Sequence, residues 1–169
     1  MVLSSTNSIP ISEIGLKKLQ SMIDDAESQL TRSLNAVTEA AGPNSDWHDN
    51  APYDEANRSV EFWRARLTEL NTDLHRVQLM EVEKDKDSKQ IVFGSKVKII
   101  IGNEQEKTYT ILGPYEVDLS KGIISILSPL GEALLGKKEG ESIDFSTTEG
   151  NKIVKIKRVD FISFDQSIS

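Results

Sequence analysis

The sequence predicts an α+β chain, an N-terminal antiparallel coiled-coil hairpin followed by a small, mostly antiparallel β domain with one short helix. Three observations lead there. Apolar or small residues recur in alternating steps of three and four at Leu16, Leu19, Ile23, Ala26, Leu30, Ser33, Val37 and Ala40, and again at Tyr53, Ala56, Val60, Trp63, Leu67, Leu70, Leu74 and Val77, which is the seam of a heptad repeat. Between the two seams, residues 41–52 are rich in Gly, Pro, Asn and Asp, the residues that interrupt helices. Beyond residue 90 the apolar period falls to two, as in Val97, Ile99 and Ile101 alternating with Lys96, Lys98 and Ile100.

Ser12 is placed to cap the first helix, because its hydroxyl can accept a bond from an otherwise unpaired N–H of the first turn. Each seam then extends for about 36 Å at about 1.5 Å per residue. A parallel arrangement of such arms would need the dozen or so linking residues to be almost fully extended, whereas an antiparallel hairpin needs only a turn. The turn, near residues 42–52, is therefore the far tip, and Ala and Ser on one arm face Trp and Leu on the other. Domain 1–84 ends in the polar segment 85–90, read as a linker, and 91–169 form the second domain. Its strands are expected at 91–101, 109–117, 122–127, 142–145 and 152–161, with a short helix from Leu130 to Leu135 stopped by Gly136.

Composition narrows the function. The chain has 169 residues, 37% of them hydrophobic and 6% aromatic, enough for small cores but not for one large globule. No cysteine is present, which excludes disulfides, thiolate metal sites and a cysteine nucleophile. The net charge of −7 and pI near 4.9 argue against a broad basic face for nucleic acid. Acidity is concentrated early, with 8 Lys and Arg against 14 Asp and Glu in residues 1–84 and 12 against 13 thereafter; a well-solvated helical surface accounts for it. The opening residues lack the pattern of a secretion signal and no apolar run has the length of a membrane span, so a soluble, cytoplasmic protein without membrane partners is expected.

Three segments resemble the Gre family of bacterial transcript cleavage factors. Ser12-Glu13-Ile14-Gly15-Leu16-Lys17-Lys18-Leu19 is similar to the family's start of the first coil helix, and Asp46-Trp47-His48-Asp49-Asn50-Ala51-Pro52-Tyr53 to its tip. Val92-Phe93-Gly94-Ser95, Tyr109-Thr110-Ile111-Leu112-Gly113 and Ser128-Pro129-Leu130-Gly131-Glu132-Ala133-Leu134-Leu135-Gly136-Lys137 resemble its C-terminal domain, whose fold is similar to that of FK506-binding proteins. The resemblance implies a monomeric factor that docks on RNA polymerase at the rim of the secondary channel, with Ser128, Pro129, Leu130 and Gly131 as candidate docking residues. It implies that the coil passes down the channel and that Asp46 and Asp49 help hold a second Mg²⁺ at the polymerase active centre, so that the polymerase cleaves the 3′ end of backtracked RNA. Such a factor activates a latent nuclease and is not itself an enzyme. Asn50, Tyr53, Trp47 and His48 are then tip-supporting residues, and Arg58 and Arg64 candidate contacts to RNA.

The residues suit that chemistry. Mg²⁺ takes hard oxygen ligands and keeps several waters, so one or two carboxylates from one partner suffice. Asp46 and Asp49 are three apart and can face the same way. Alternative readings remain: Asp, Asn and Ser are also ordinary turn and cap residues, and Arg58 and Arg64 are interleaved with Glu55, Glu61 and Glu69 as on any solvated helix. His48 could be one ligand of a zinc or manganese ion, but the other histidine, His75, lies near the opposite end of the arm and no closed site can be assembled. Trp47 either packs on the coil end or touches the channel or an RNA base. A prolyl isomerase would need an aromatic-lined pocket, and Phe93, Tyr109, Tyr115, Phe145 and Phe161 are more simply the core of a small domain. The chain departs from the family pattern at Asp49, usually Glu, and Ser45, usually Gly. The shorter Asp loses about 1.5 Å of reach, and about 1 Å of misplacement can cost on the order of a hundredfold in a positioned reaction. A channel-occupying inhibitor that does not stimulate cleavage is therefore the rival to an activator, and a coiled-coil adaptor with no active-site role is the third reading.

Overall fold

A computed structural model of the chain describes residues 8–41, 50–81, 89–102, 106–147 and 150–162. In chain order these form β1 (Ile9–Ile11), α1 (Glu13–Ala41), α2 (Ala51–Arg76), β2 (Val77–Leu79), β3 (Ser95–Ile101), β4 (Lys107–Leu112), β5 (Ile123–Ser125), α3 (Pro129–Leu134), β6 (Ser142–Thr147) and β7 (Gly150–Phe161). Two compact units result: Lys17–Val77, and Met1–Leu16 together with Gln78–Ser169. The helical unit is shorter at both ends than a coil of residues 1–84. The cause is a two-stranded sheet of β1 and β2 that the heptad pattern did not announce, extended by the Met80 N–H donating to the Ile11 carbonyl at 2.8 Å.

In the helical unit the two seams are the sides turned away from water. Leu19, Ile23 and Ala26 of α1 and Ala56, Val60 and Leu70 of α2 are buried, and the remaining seam residues are half-buried. The flanking positions are mostly exposed, so the side chains segregate by the period of 3.5 that a helix hairpin requires. Ser12 caps α1 as its position suggested. Its Oγ accepts from the Gly15 N–H at 3.2 Å, and its carbonyl accepts from the Leu16 N–H at 2.9 Å.

The second unit holds a five-stranded sheet in the order β5-β4-β3-β7-β6. Every pairing is antiparallel except β4 with β5. Ser95, Val97 and Ile99 of β3 are buried while Lys96 and Lys98 are exposed, the alternation that one covered face demands. On β7 the buried residues are Val154, Ile156 and then Val159, three steps on instead of two. A bulge explains the change of phase: Lys98 pairs with Arg158 but Ile99 with Ile156, so one extra residue of β7 is passed over. The core gathers Ile91, Phe93, Val97, Ile99, Ile111, Leu112, Ile123, Ile124, Ile126, Leu134, Val154, Ile156 and Val159.

Three strands are shorter than the sequence suggested, among them the one expected at 122–127, which is Ile123–Ser125. The one expected at 91–101 starts at Ser95, after a turn in which Gly94 takes φ +83°. The strand expected at 109–117 stops at Leu112, and Pro114–Glu116 and Leu119–Lys121 form single 3-10 turns. Proline at the first of these positions fixes φ and removes a ladder donor. The short helix is present at Pro129–Leu134, and Gly136 follows it at φ +77°, the left-handed conformation that ends helices. No helix of the described residues is long and apolar enough to cross a membrane.

Candidate functional site

The loop end of the helix hairpin is built on Asn50. As N-cap of α2, its Oδ1 accepts from the Tyr53 N–H at 3.2 Å, while its Nδ2 donates to the Ala40 carbonyl at 2.9 Å. One amide thus satisfies an orphan donor of α2 and an orphan acceptor at the end of α1. Segment 42–49 lies between the two helices in the sequence. Asp46, Trp47, His48 and Asp49 lie in that segment, outside the described residues. Tyr53 is a half-buried seam residue, with Pro52 in the first turn beside it and Asp54 as the first-turn acid. An acid there suits the positive end of the helix dipole.

Further along α2, the two arginines proposed as RNA contacts differ. Arg58 is paired with Glu55 at 2.7 Å, and that bond followed by the Glu55 charge raises its pKa above the ordinary arginine value. Arg64 is exposed, and its side chain makes no hydrogen bond or ion pair among the described residues. Arg66 is held by Glu69 at 2.7 Å. Among the described residues no group of three or more His, Cys, Asp or Glu side chains is assembled that could hold a metal.

The segment 128–131 is a helix start whose members do different things. The Ser128 hydroxyl accepts from the Gly131 N–H at 3.1 Å and donates to the Ser125 carbonyl at 2.6 Å. Gly131 is buried, and a Cβ there would run into the Ser125 carbonyl oxygen and lie 3.0 Å from the Ile126 Cα. Leu130 is half-buried against the core. These three residues make the turn. Pro129 is exposed at the first helical position, beside the 43% exposed Leu127, so this pair offers the apolar surface of the segment.

Leu127 carries no sign of this in the sequence, since a leucine after an apolar strand reads as more strand. A second feature missed by the sequence is Glu116, which is 1% exposed. One partner, Gly113, is three residues away, but the other, Ser12, is 104 away, and no local pattern marks a carboxylate for burial.

The comparisons bear on the same architecture. Residues 85–161 match the family model for "Transcription elongation factor, GreA/GreB, C-term". The chain is 31% identical to transcription elongation factor GreA of Vibrio cholerae over 155 residues, covering 91% of this chain and 98% of that one. With GreA of Desulfovibrio desulfuricans it is 35% identical over 155 residues, covering 91% and 94%. Among solved structures, GreA factor homolog 1 of Thermus thermophilus aligns over 91% of this chain and 99% of its own at 19% identity, with a TM-score of 0.42. Identity of 31% and 35% to two GreA proteins over 91% of the chain defines a class of elongation factor. The chain belongs to the GreA/GreB family and is a Gre-type transcription elongation factor.

Proposed function

We propose that this factor binds RNA polymerase through its sheet unit, lets the loop end of its hairpin enter the secondary channel, and stimulates the polymerase's own cleavage of backtracked RNA. The observation that carries the reading is the Asn50 clasp, which closes both helix ends around a segment of eight residues containing Asp46 and Asp49. At about 1.5 Å per residue the 29 residues of α1 reach about 43 Å, a length suited to presenting that segment deep inside a partner. Two carboxylates fit an incomplete oxygen shell whose other ligands a partner supplies. A magnesium ion held there would activate the attacking water in phosphoryl hydrolysis. Asp46 and Asp49 contribute charge and position, and the cleaving groups belong to the polymerase. Arg64 is the better candidate for the RNA backbone, because Glu55 already neutralises Arg58. Pro129, with Leu127, is the better candidate for docking, because Ser128 and Gly131 are occupied in building the turn.

Asp49 favours a second reading, a factor that fills the channel without stimulating cleavage, because Asp is shorter by one methylene than the Glu usual there. Backtracked complexes assembled with the cognate polymerase and followed for transcript shortening in magnesium separate the two. Acceleration that is lost in Asp46→Ala and Asp49→Ala, with binding retained, supports the activator. Suppressed synthesis with no shortening, reversed to shortening by Asp49→Glu, supports the inhibitor.

A further inference from the structure

Among the described residues of the sheet unit, one buried acid is not used by the tip chemistry. Glu116, in the first 3-10 turn after β4, is 1% exposed. Its Oε1 accepts the Ser12 hydroxyl proton, and its Oε2 accepts the backbone N–H groups of Gly113 at 3.1 Å and of Ser12 at 3.3 Å. Ser12 Oγ in turn accepts the Gly15 N–H at 3.2 Å, so one hydroxyl is both donor to the acid and cap of α1.

Two glycines make the room. A Cβ on Gly15 would stand 2.5 Å from Glu116 Oε2, and a Cβ on Gly113 2.6 Å from the same atom. Neither glycine has a positive φ, so close approach is what excludes a side chain at both: the carboxylate at Gly15, and at Gly113 the Pro10 carbonyl oxygen, which such a Cβ would run into, together with the carboxylate. The acid also lies where the unpaired N–H groups of a helix start leave partial positive charge. Burying such a group is costly unless every lone pair in use is matched, and here three donors converge on it across 104 residues of sequence.

We propose that Glu116 is a positioning residue: it locks the first turn of α1, through Ser12, into the sheet unit, and cleavage stimulation depends on that lock while polymerase binding does not. The activity arm rests on the function proposed above; the structural arm does not. Without the carboxylate, the Ser12 hydroxyl loses the partner that orients it, so its cap bond to the Gly15 N–H loosens, and the N–H groups of Ser12 and Gly113 lose their acceptor.

Amide hydrogen exchange and cleavage of backtracked complexes at saturating factor test this together. In Glu116→Ala the Ser12, Gly15 and Gly113 amides should exchange at least about fivefold faster, with Val97 and Val154 unchanged. Maximal stimulation should fall at least about tenfold, while the concentration needed for half-maximal binding stays as in wild type. Glu116→Gln keeps one acceptor oxygen for the two backbone donors, so it should recover part of both losses. A purely structural weakening would be overcome by adding more factor; a loss at saturation is not. Wild-type exchange at Gly15, or wild-type stimulation at saturation, in Glu116→Ala overturns the proposal, as does a Gln variant no better than Ala in either readout. If Glu116→Ala loses protection throughout β3 and β7, Glu116→Gln is compared with wild type in its place, and wild-type exchange at Ser12 and Gly113, or wild-type stimulation at saturation, then overturns the proposal. If the wild-type factor itself does not stimulate cleavage, the functional reading and the activity dependence fall together, and exchange at Gly15 alone decides the lock.

Discussion

At Asn50 a single amide both caps α2 and holds the Ala40 carbonyl, so a substitution removes two bonds together. Asn50→Ala should destabilise the protein by about 1 to 2 kcal/mol, the usual loss for a cap with a further bond, read from the midpoint of urea unfolding. Gly131 and Pro129 should separate folding from docking. Gly131→Ala places a methyl against the Ser125 carbonyl and should cost about 1 to 3 kcal/mol. Pro129→Ser, at an exposed position, should leave the unfolding midpoint within about 0.5 kcal/mol of wild type yet weaken polymerase binding. Equal affinity of Pro129→Ser and wild type would remove this residue from the docking surface. Cap residues such as Ser12 could be located from the sequence because their partners are three or four residues away. Glu116 could not, because both Gly113 and Ser12 must be in place before its burial makes sense.

The helices were the most legible elements. Every seam position from Leu19 to Ala40 and from Tyr53 to Val77 is buried or half-buried, because a period repeated over seven turns is a strong signal and the partner helix is the chain's own next segment. The strands were placed less well. A strand of three residues, such as β1 or β5, contains too few alternations to show a period, and the bulge in β7 reverses the alternation midway. That bulge has its own support. Glu139 Oε2 accepts the Val159 N–H at 3.1 Å, and Oε1 holds the Lys89 ammonium at 2.7 Å. The bond to Lys89, and then that to Val159, lower the Glu139 pKa. The folded value thus lies below the ordinary one of about 4.3. Its contribution is complete above that pH and is lost as pH falls through the lower folded value. Thermal unfolding measured from about pH 6 to about pH 3 should therefore show a shallower acid loss in Glu139→Gln than in wild type. Identical slopes would mean that the carboxylate does not support the bulge.

For the molecule as a whole, the order of a helix hairpin and then a sheet could be read from the change of period alone. That residues before Leu16 belong with the sheet unit could not, because pairing β1 with β2 joins segments more than sixty residues apart and leaves no local trace. The resemblance carried the functional reading further than the physics of the residues, since two aspartates three apart in a segment with Gly and Pro are ambiguous by themselves. The central claim is that this factor delivers Asp46 and Asp49 to the polymerase's catalytic centre. Its most direct test is the rate of transcript shortening in backtracked complexes with saturating wild-type factor, Asp46→Ala, or Asp49→Ala, in parallel with polymerase binding. The account predicts acceleration by wild type, at least about a hundredfold less by either variant, and unchanged binding by all three. Variants as active as wild type would contradict it.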